Sequence, residues 1–177
     1  MTTTTSTNPA ARAIIEGTAP HQARVAAASG LLPLPQSDLL EVLVALWQSE
    51  DSEIANAATA TLDGQDSEDL LAAARSDETS VAVLDYLATR SQNGRQIHEA
   101  IILNNKTPDQ TIADLAASTA DSSLLELIAI NQQRLVRFPK IIQAILANSD
   151  RSPEAERRAR ETKQEFFEKE RGAQQIA

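Results

Sequence analysis

Polar residues of the kind that cap helix N-termini recur along the chain, and this pattern constrains the fold more than any other feature of the sequence. Their side chains accept hydrogen bonds from the N–H groups that a first helical turn leaves unpaired. Many of them are spaced by about 14 residues, the length of a short helix and a tight turn. The sequence therefore predicts a series of short helices. The predicted capping residues are Asn8, Ser37, Asp51, either Asp66 or Ser67, Asp77, Thr107, Asp121 and Ser152.

The spacing of apolar residues also favours helices. Ile54, Ala58 and Leu62 recur at four-residue intervals, which places them on one helix face. No segment alternates apolar and polar residues with the two-residue period of a half-buried strand. We therefore predict an all-α fold of about ten to eleven short antiparallel helices. The helix predicted over 38–48 is apolar nearly all round, so we expect it to be buried between neighbours.

One polar residue falls on an apolar stripe. Asn131 continues the helical face formed by Leu124, Ile128 and Leu135, so we expect one helix to run through it. A buried amide needs hydrogen-bond partners. We therefore expect Asn131 to tie this helix to a neighbouring turn, and the alternative is a polar contact on a binding groove.

The two ends of the chain differ in composition from its middle. Residues 1–8 are rich in threonine and contain no basic or apolar stretch, so we expect a disordered tail. We predict a single α-helical repeat domain over 9–172 and a flexible C-terminus over 173–177. No apolar run approaches the roughly 18 residues of a membrane span, and the chain has no cysteine. We therefore expect a cytoplasmic protein without disulfides.

Acidic residues are concentrated in one part of the chain. Eleven of the 25 acids but only one of the 16 basic residues lie between residues 38 and 78, in a chain of net charge −9. Such a segment repels nucleic acid and attracts a basic protein surface. We therefore expect a non-enzymatic scaffold or adaptor that binds another protein through an acidic helical surface. The candidate partner-binding residues are Glu50, Asp51, Glu53, Asp63, Asp66, Glu68 and Asp69.

The sequence contains no recognisable pattern for catalysis or cofactor binding. His21 and His98 are the only histidines, and neither belongs to a zinc-binding pattern. The acids around Gly64 do not have the spacing of a calcium-binding EF-hand loop, and the five glycines form no phosphate-binding motif. We therefore predict no catalytic residue, no cofactor and no metal. A metal-dependent hydrolase that uses the acids of 63–69 is the enzymatic alternative.

Basic residues are more common in the C-terminal third of the chain. Between residues 130 and 163 they outnumber the acids, and they alternate with glutamates along the last predicted helix. Opposite charges at i and i+4 are typical of a solvated helix face. Two alternatives to a scaffold involve this region. The chain could self-assemble head to tail through its acidic and basic segments or, as a weaker alternative, bind nucleic acid through 151–163.

Two segments look like parts of known helical repeats. Residues 46–62 resemble the second helix of a HEAT repeat in their pattern Leu46…Asp51-Ser52-Glu53-Ile54…Ala57-Ala58…Leu62, although Asn56 stands near the usual arginine position. The Asn-x-x-Thr-Pro pattern that ends at Pro108 resembles leucine-rich-repeat-variant helices, and residues 100–104 recur in similar form at 144–148. The chain is thus similar to bacterial HEAT-like or leucine-rich-repeat-variant α-solenoid domains. The resemblance implies right-handed stacking of antiparallel helix pairs, a protein-binding role and no family active site.

Overall fold

The computed structural model describes residues 4–169, and within them the chain forms twelve α-helices and no strand. The prediction of an all-α fold is confirmed, with one helix more than predicted. The predicted flexible residues 173–177 lie outside the described residues, as do residues 1–3 of the predicted tail. The helices are α1 (Pro9–Ile15), α2 (His21–Ala28), α3 (Gln36–Trp47), α4 (Ser52–Asp63), α5 (Ser67–Arg75), α6 (Val81–Thr89), α7 (Arg95–Leu103), α8 (Asp109–Ser118), α9 (Ser122–Ile130), α10 (Gln132–Arg137), α11 (Lys140–Ala147) and α12 (Pro153–Lys163), and a π-helical segment (Gln164–Glu168) follows α12.

Side-chain caps begin many of these helices, as the sequence predicts. In each confirmed case a side-chain oxygen accepts a hydrogen bond from a backbone N–H two or three residues further on. This contact pairs a donor that the first turn would otherwise leave free. The confirmed caps are Asn8, Asp51, Asp66, Asp121 and Ser152.

Three helices begin a few residues away from the predicted start. Pro35 and Pro108 precede α3 and α8, and neither start has a side-chain cap. Proline φ is fixed near the helical value, so a helix can follow it directly. At the start of α6, the hydroxyl of Ser80 accepts a hydrogen bond from the N–H of Val83. The predicted caps that are wrong are Ser37, Asp77 and Thr107.

The contacts divide the chain into two compact units, one up to Leu87 and one from Ala88. In the first unit, α3 contacts α1, α2 and α4, and α4 also contacts α2. Val42, Leu43 and Val44 of α3 are therefore at most 1% exposed, which confirms the expected burial of this helix. A single domain over 9–172 stays a prediction, and each unit is described separately.

In the second unit, α9 contacts both α7 and α12, and α11 contacts both α8 and α12. The core between these helices is aliphatic. Ile101, Ile112, Leu125 and Ile141 are each completely buried. Burial of this kind drives folding in rough proportion to the apolar area that is removed from water.

A similar turn follows five of the helices. A polar side chain just after the helix accepts a hydrogen bond from the backbone N–H two residues further on, at 2.8–3.2 Å. Serine, threonine and asparagine make such local turns because their short side chains reach their own backbone. We call this arrangement the recurring turn. Its residues are Ser49 and Ser76 in the first unit and Asn104, Thr119 and Asn148 in the second.

Candidate functional site

A cavity of about 810 Å³ lies in the first unit. Its walls are residues 5–7, the first half of α3, one face of α5 and the turn that leads into α6. The side-chain amide of Gln36 donates to the side-chain oxygen of Gln65 at 2.8 Å, which ties the start of α3 to the turn before α5. The hydroxyl of Thr79 donates to the carbonyl of Ala73 at 2.6 Å, which holds the turn after α5 against that helix.

Four carboxylates line this cavity, and they come from three elements of the chain. Asp38 and Glu41 lie on α3, Asp69 lies on α5 and Glu78 lies on the turn before α6. Among the described residues that line the cavity, none is basic. We call this cavity the acidic groove. It offers a ligand negative charge together with serine and threonine hydroxyl groups.

The most buried charge of the acidic groove is the carboxylate of Glu41, a residue that is 7% exposed on an otherwise largely apolar helix. A buried carboxylate is costly unless it is hydrogen bonded. The backbone N–H of Thr5 donates to Oε1 of Glu41 at 2.9 Å, and the Thr5 hydroxyl donates to Oε2 at 3.1 Å. Residue 5 therefore stabilises a charge that α3 alone would leave unpaired.

Ser6 makes a similar contact one helical turn away. Its hydroxyl donates to Oδ1 of Asp38 at 2.6 Å, and Ser6 itself is 7% exposed. The sequence assigns both Thr5 and Ser6 to a disordered tail, whereas here they are hydrogen bonded to α3. The composition of residues 1–8 does not indicate this contact, because its acceptors lie more than 30 residues further along the chain. We call residues 5–7 the N-terminal segment.

Of the seven predicted partner-binding residues, one lines the acidic groove, namely Asp69. Asp51 and Asp66 cap α4 and α5, and Nδ1 of His21 lies 3.7 Å from Oδ2 of Asp51. A role of the other predicted residues in partner binding stays a prediction. They lie at exposed positions before α4, in its first turn, at its end and in the first turn of α5, and they are Glu50, Glu53, Asp63 and Glu68.

Three of the four carboxylates of the acidic groove were not singled out from the sequence. Asp38 and Glu41 are three residues apart, and residues at that spacing are neighbours on a helix surface. Two acids at this spacing on a mostly apolar helix are the signal that could have identified them. Glu78 carries no such signal, because only the folded turn after α5 brings it to the groove.

A second polar cluster, in the second unit, surrounds a buried arginine. Arg134 is 3% exposed. Its Nη1 donates to the carbonyl of Thr107 at 2.7 Å and to Oδ1 of Asp109 at 3.0 Å, and its Nη2 donates to the carbonyl of Asn104 at 3.2 Å. Burial lowers the pKa of the Arg134 guanidinium, and the Asp109 carboxylate opposes that change. These contacts tie α10 to the turn between α7 and α8.

Arg137 binds the same carboxylate from the surface. Its Nε and Nη2 donate to the two oxygens of Asp109 at 2.7 and 2.8 Å. The hydrogen bond from Arg137 lowers the pKa of Asp109, and with the positive charges of Arg137 and Arg134 it outweighs the opposite effect of burial. Asp109 is therefore held in its ionised form between two guanidinium groups.

Asn131 does not have the role that the sequence predicts. The residue is exposed, and α9 ends before it, at Ile130. Its Oδ1 accepts a hydrogen bond from the N–H of Arg134 at 3.1 Å, so Asn131 caps α10. The prediction is wrong because this local cap ends the apolar stripe, and the side chain that reaches the neighbouring turn is that of Arg134.

Four arginines of residues 151–160 are engaged by glutamates of α12. On α12, Arg157 donates to Glu154 and Glu161, and Arg160 donates to Glu156. The hydrogen bonds from Arg157 and Arg160 lower the pKa values of Glu154 and Glu156, respectively. Much of the positive charge of this helix is therefore compensated at its own surface.

The two histidines lie in different environments. His98 is 8% exposed, and its Nε2 lies 3.1 Å from the carbonyl oxygen of Arg90, whereas His21 is exposed.

Across residues 4–169, no three His, Asp or Glu side chains are grouped so that they could hold a metal ion. No helix within the same residues is both long enough and apolar enough to cross a membrane.

Comparisons of the chain with protein family models, curated proteins and solved structures give no match. The geometry of the acidic groove is therefore the feature from which a function can be inferred.

Proposed function

We propose that this protein is a non-enzymatic scaffold or adaptor that binds a basic segment of another protein in the acidic groove. The observation that carries the proposal is the set of four groove carboxylates, Asp38, Glu41, Asp69 and Glu78, with no basic residue among the described lining residues. Like charges that converge on one cavity repel one another, and a cationic ligand relieves that repulsion. Lysine or arginine side chains of a partner supply such cations.

The acids outside the groove contribute to the same interaction at longer range. Glu50, Glu53 and Glu68 are exposed on the first unit and belong to the acidic part of the chain. Exposed charges around an interface mainly raise the association rate and fall in effect as salt is added. We therefore assign them to steering of a basic partner, and we assign affinity mainly to the carboxylates of the groove.

We further propose that the helices stack as a right-handed HEAT-like or repeat-variant α-solenoid. The recurring turn supports this proposal, because repeat proteins join similar helices by similar connections. Asn104 and Asn148 make equivalent turns after α7 and α11: each accepts the N–H of the residue two further on, at 2.9 and 2.8 Å. Helical repeats of this kind commonly present an extended protein-binding surface.

Self-assembly and nucleic-acid binding receive less support from the side chains that they require. Both alternatives use the positive charge of residues 130–163, and much of that charge is engaged in ion pairs within the second unit. Examples are Arg137 with Asp109 and Arg158 with Glu154, each at 2.7 Å. We therefore do not extend the proposal to either function.

The proposed function can be tested by a binding titration with a fluorescent twelve-residue peptide of alternating arginine and glycine, at low salt.

The double variant D69N/E78Q removes two groove charges whose carboxylates make no hydrogen bond or ion pair within the described residues. Exposed charge pairs each contribute at most about 1 kcal/mol, so we expect affinity to fall about three- to tenfold. The matched control D114N/E126Q removes the same charge from the second unit. Equal losses in the two variants would show that net charge, and not the groove, binds the peptide.

A further inference from the structure

We propose that the N-terminal segment is a tethered occupant of the acidic groove, which a basic partner segment displaces when it binds. This inference rests on the proposed function and adds its regulation. Thr5, Ser6 and Thr7 all line the groove. The chain thus places its own extended segment where the partner segment would lie.

The hydrogen bonds show which part of the groove the N-terminal segment occupies. Thr5 donates two hydrogen bonds to Glu41, and Ser6 donates one to Asp38. The carboxylates of Asp69 and Glu78 make no hydrogen bond or ion pair within residues 4–169. The segment therefore engages the α3 side of the groove and leaves the carboxylates of the other side available.

The N-terminal segment is also fixed to the fold at its C-terminal end, next to Asn8. The N–H of Asn8 donates to the hydroxyl of Ser6 at 3.1 Å, and Oδ1 of Asn8 caps α1. The segment is therefore directly joined to a packed helix. A tethered group of this kind acts at a high effective concentration and competes with a free ligand without needing a strong contact of its own.

A basic partner segment has a physical advantage over this occupant. The N-terminal segment carries only neutral donors, so it hydrogen bonds Asp38 and Glu41 without compensating their charge. A lysine or arginine side chain would hydrogen bond the same carboxylates and would also compensate their negative charge. A partner segment that carries such side chains therefore gains a charge interaction that the neutral N-terminal segment does not make.

The first experiment uses the full chain with the double substitution T5P/S6A. Proline removes the N–H and the hydroxyl of residue 5, alanine removes the hydroxyl of residue 6, and the net charge does not change. If the N-terminal segment occupies the groove in about ten wild-type molecules for each one in which the groove is free, the affinity for the arginine–glycine peptide should rise by about tenfold in the variant. The control is S52A, because Ser52 is exposed at the start of α4 and does not line the groove. S52A should bind as the wild type does.

The second experiment needs no variant. Hydrogen exchange in the N-terminal peptide of the wild-type chain is measured with and without saturating arginine–glycine peptide. Displacement predicts that protection of the Thr5 amide is lost when the peptide binds. Retained protection at saturation would overturn the inference.

The outcomes separate the two proposals. If T5P/S6A binds no more tightly than the wild type while D69N/E78Q binds more weakly, the displacement inference is wrong and the proposed function stands. If neither the wild type nor T5P/S6A binds the peptide, both are wrong. Tighter binding by T5P/S6A but not by S52A, with loss of Thr5 protection, supports displacement.

Discussion

Nη1 of the buried Arg134 lies 3.0 Å from Oδ1 of Asp109, the residue that begins α8. The same guanidinium binds the carbonyls of Asn104 and Thr107. One side chain of α10 thus pairs with a charge and with two backbone carbonyls of the turn between α7 and α8. Several partners are needed because the free energy required to remove a guanidinium from water exceeds the stabilisation from one ion pair.

Substitution of Arg134 should strongly destabilise the second unit. R134A leaves the carbonyls of Asn104 and Thr107 without this donor and should cost about 3–5 kcal/mol of unfolding free energy. R137A removes an exposed guanidinium from the same carboxylate and should cost much less than R134A, because solvent screens an exposed ion pair. Urea unfolding followed by far-ultraviolet circular dichroism compares the two variants. Equal costs would contradict a structural role specific to Arg134.

The ion pair of Asp109 also predicts a pH dependence. Since its pKa is lower in the folded chain than its ordinary value of 3.8, the unfolded chain takes up the proton first on acidification. The stability that this carboxylate contributes is fully present above the ordinary pKa and is lost as pH falls through the folded pKa. The difference in unfolding free energy between wild type and D109N should therefore be constant near pH 6 and shrink as pH falls below about 4.

The matched control for this pH series is D114N. Asp114 is exposed on the same helix and has no arginine partner within the described residues. Its substitution should leave the acid-induced loss of stability close to that of the wild type. If D109N loses stability on acidification as steeply as the wild type and D114N do, Asp109 is not the group responsible.

Asn148 should be more important for stability than its position in a turn indicates. Its Nδ2 donates to the carbonyls of Ala116 and Thr119 at 2.8 Å each, and the residue is 8% exposed. N148A leaves two carbonyls at the end of α8 without this partner and should cost about 1–3 kcal/mol. S149A, which changes the exposed neighbour, should be close to neutral. Thermal unfolding of both variants measures the difference.

Asn131 should behave as a helix cap. N131A should cost about 1 kcal/mol, because the N–H of Arg134 loses its acceptor. N131S and N131D should restore most of that loss, since serine and aspartate cap as well as asparagine. Failure of both to restore stability would indicate that the amide group itself is required, as in the buried role that the sequence predicts.

The sequence predicts the helical class and many helix starts because both depend on local contacts. Asp51 and Ser152 bind N–H groups only two or three residues away. The break at Asn131 is harder to predict, because the apolar stripe continues through it and the local cap competes with that stripe. The burial of Arg134 could not be predicted, because it depends on carbonyl groups and a carboxylate that lie 25 to 30 residues earlier in the chain.

The acidic part of the chain is likewise visible in the sequence, but its division into roles is visible only in part. The caps Asp51 and Asp66 are predicted correctly, whereas the grouping of acids in the groove is not predicted. Glu41 lies within a largely apolar helix, yet it lines the groove, where Thr5 hydrogen bonds its buried carboxylate. Composition identifies the charge, whereas the packing of distant elements decides which carboxylates share a cavity.

The recurring turn has a consequence for how such a chain can change in length. In each of these turns a side chain accepts a hydrogen bond from the N–H two residues further on. The residues that form the turn therefore lie directly after the helix in the sequence. A helix that is duplicated or deleted together with its turn would keep this local contact. The number of helices is therefore limited by the packing between helices and by contacts such as that of Asn148 with the carbonyls of Ala116 and Thr119, and not by the local contact of the turn.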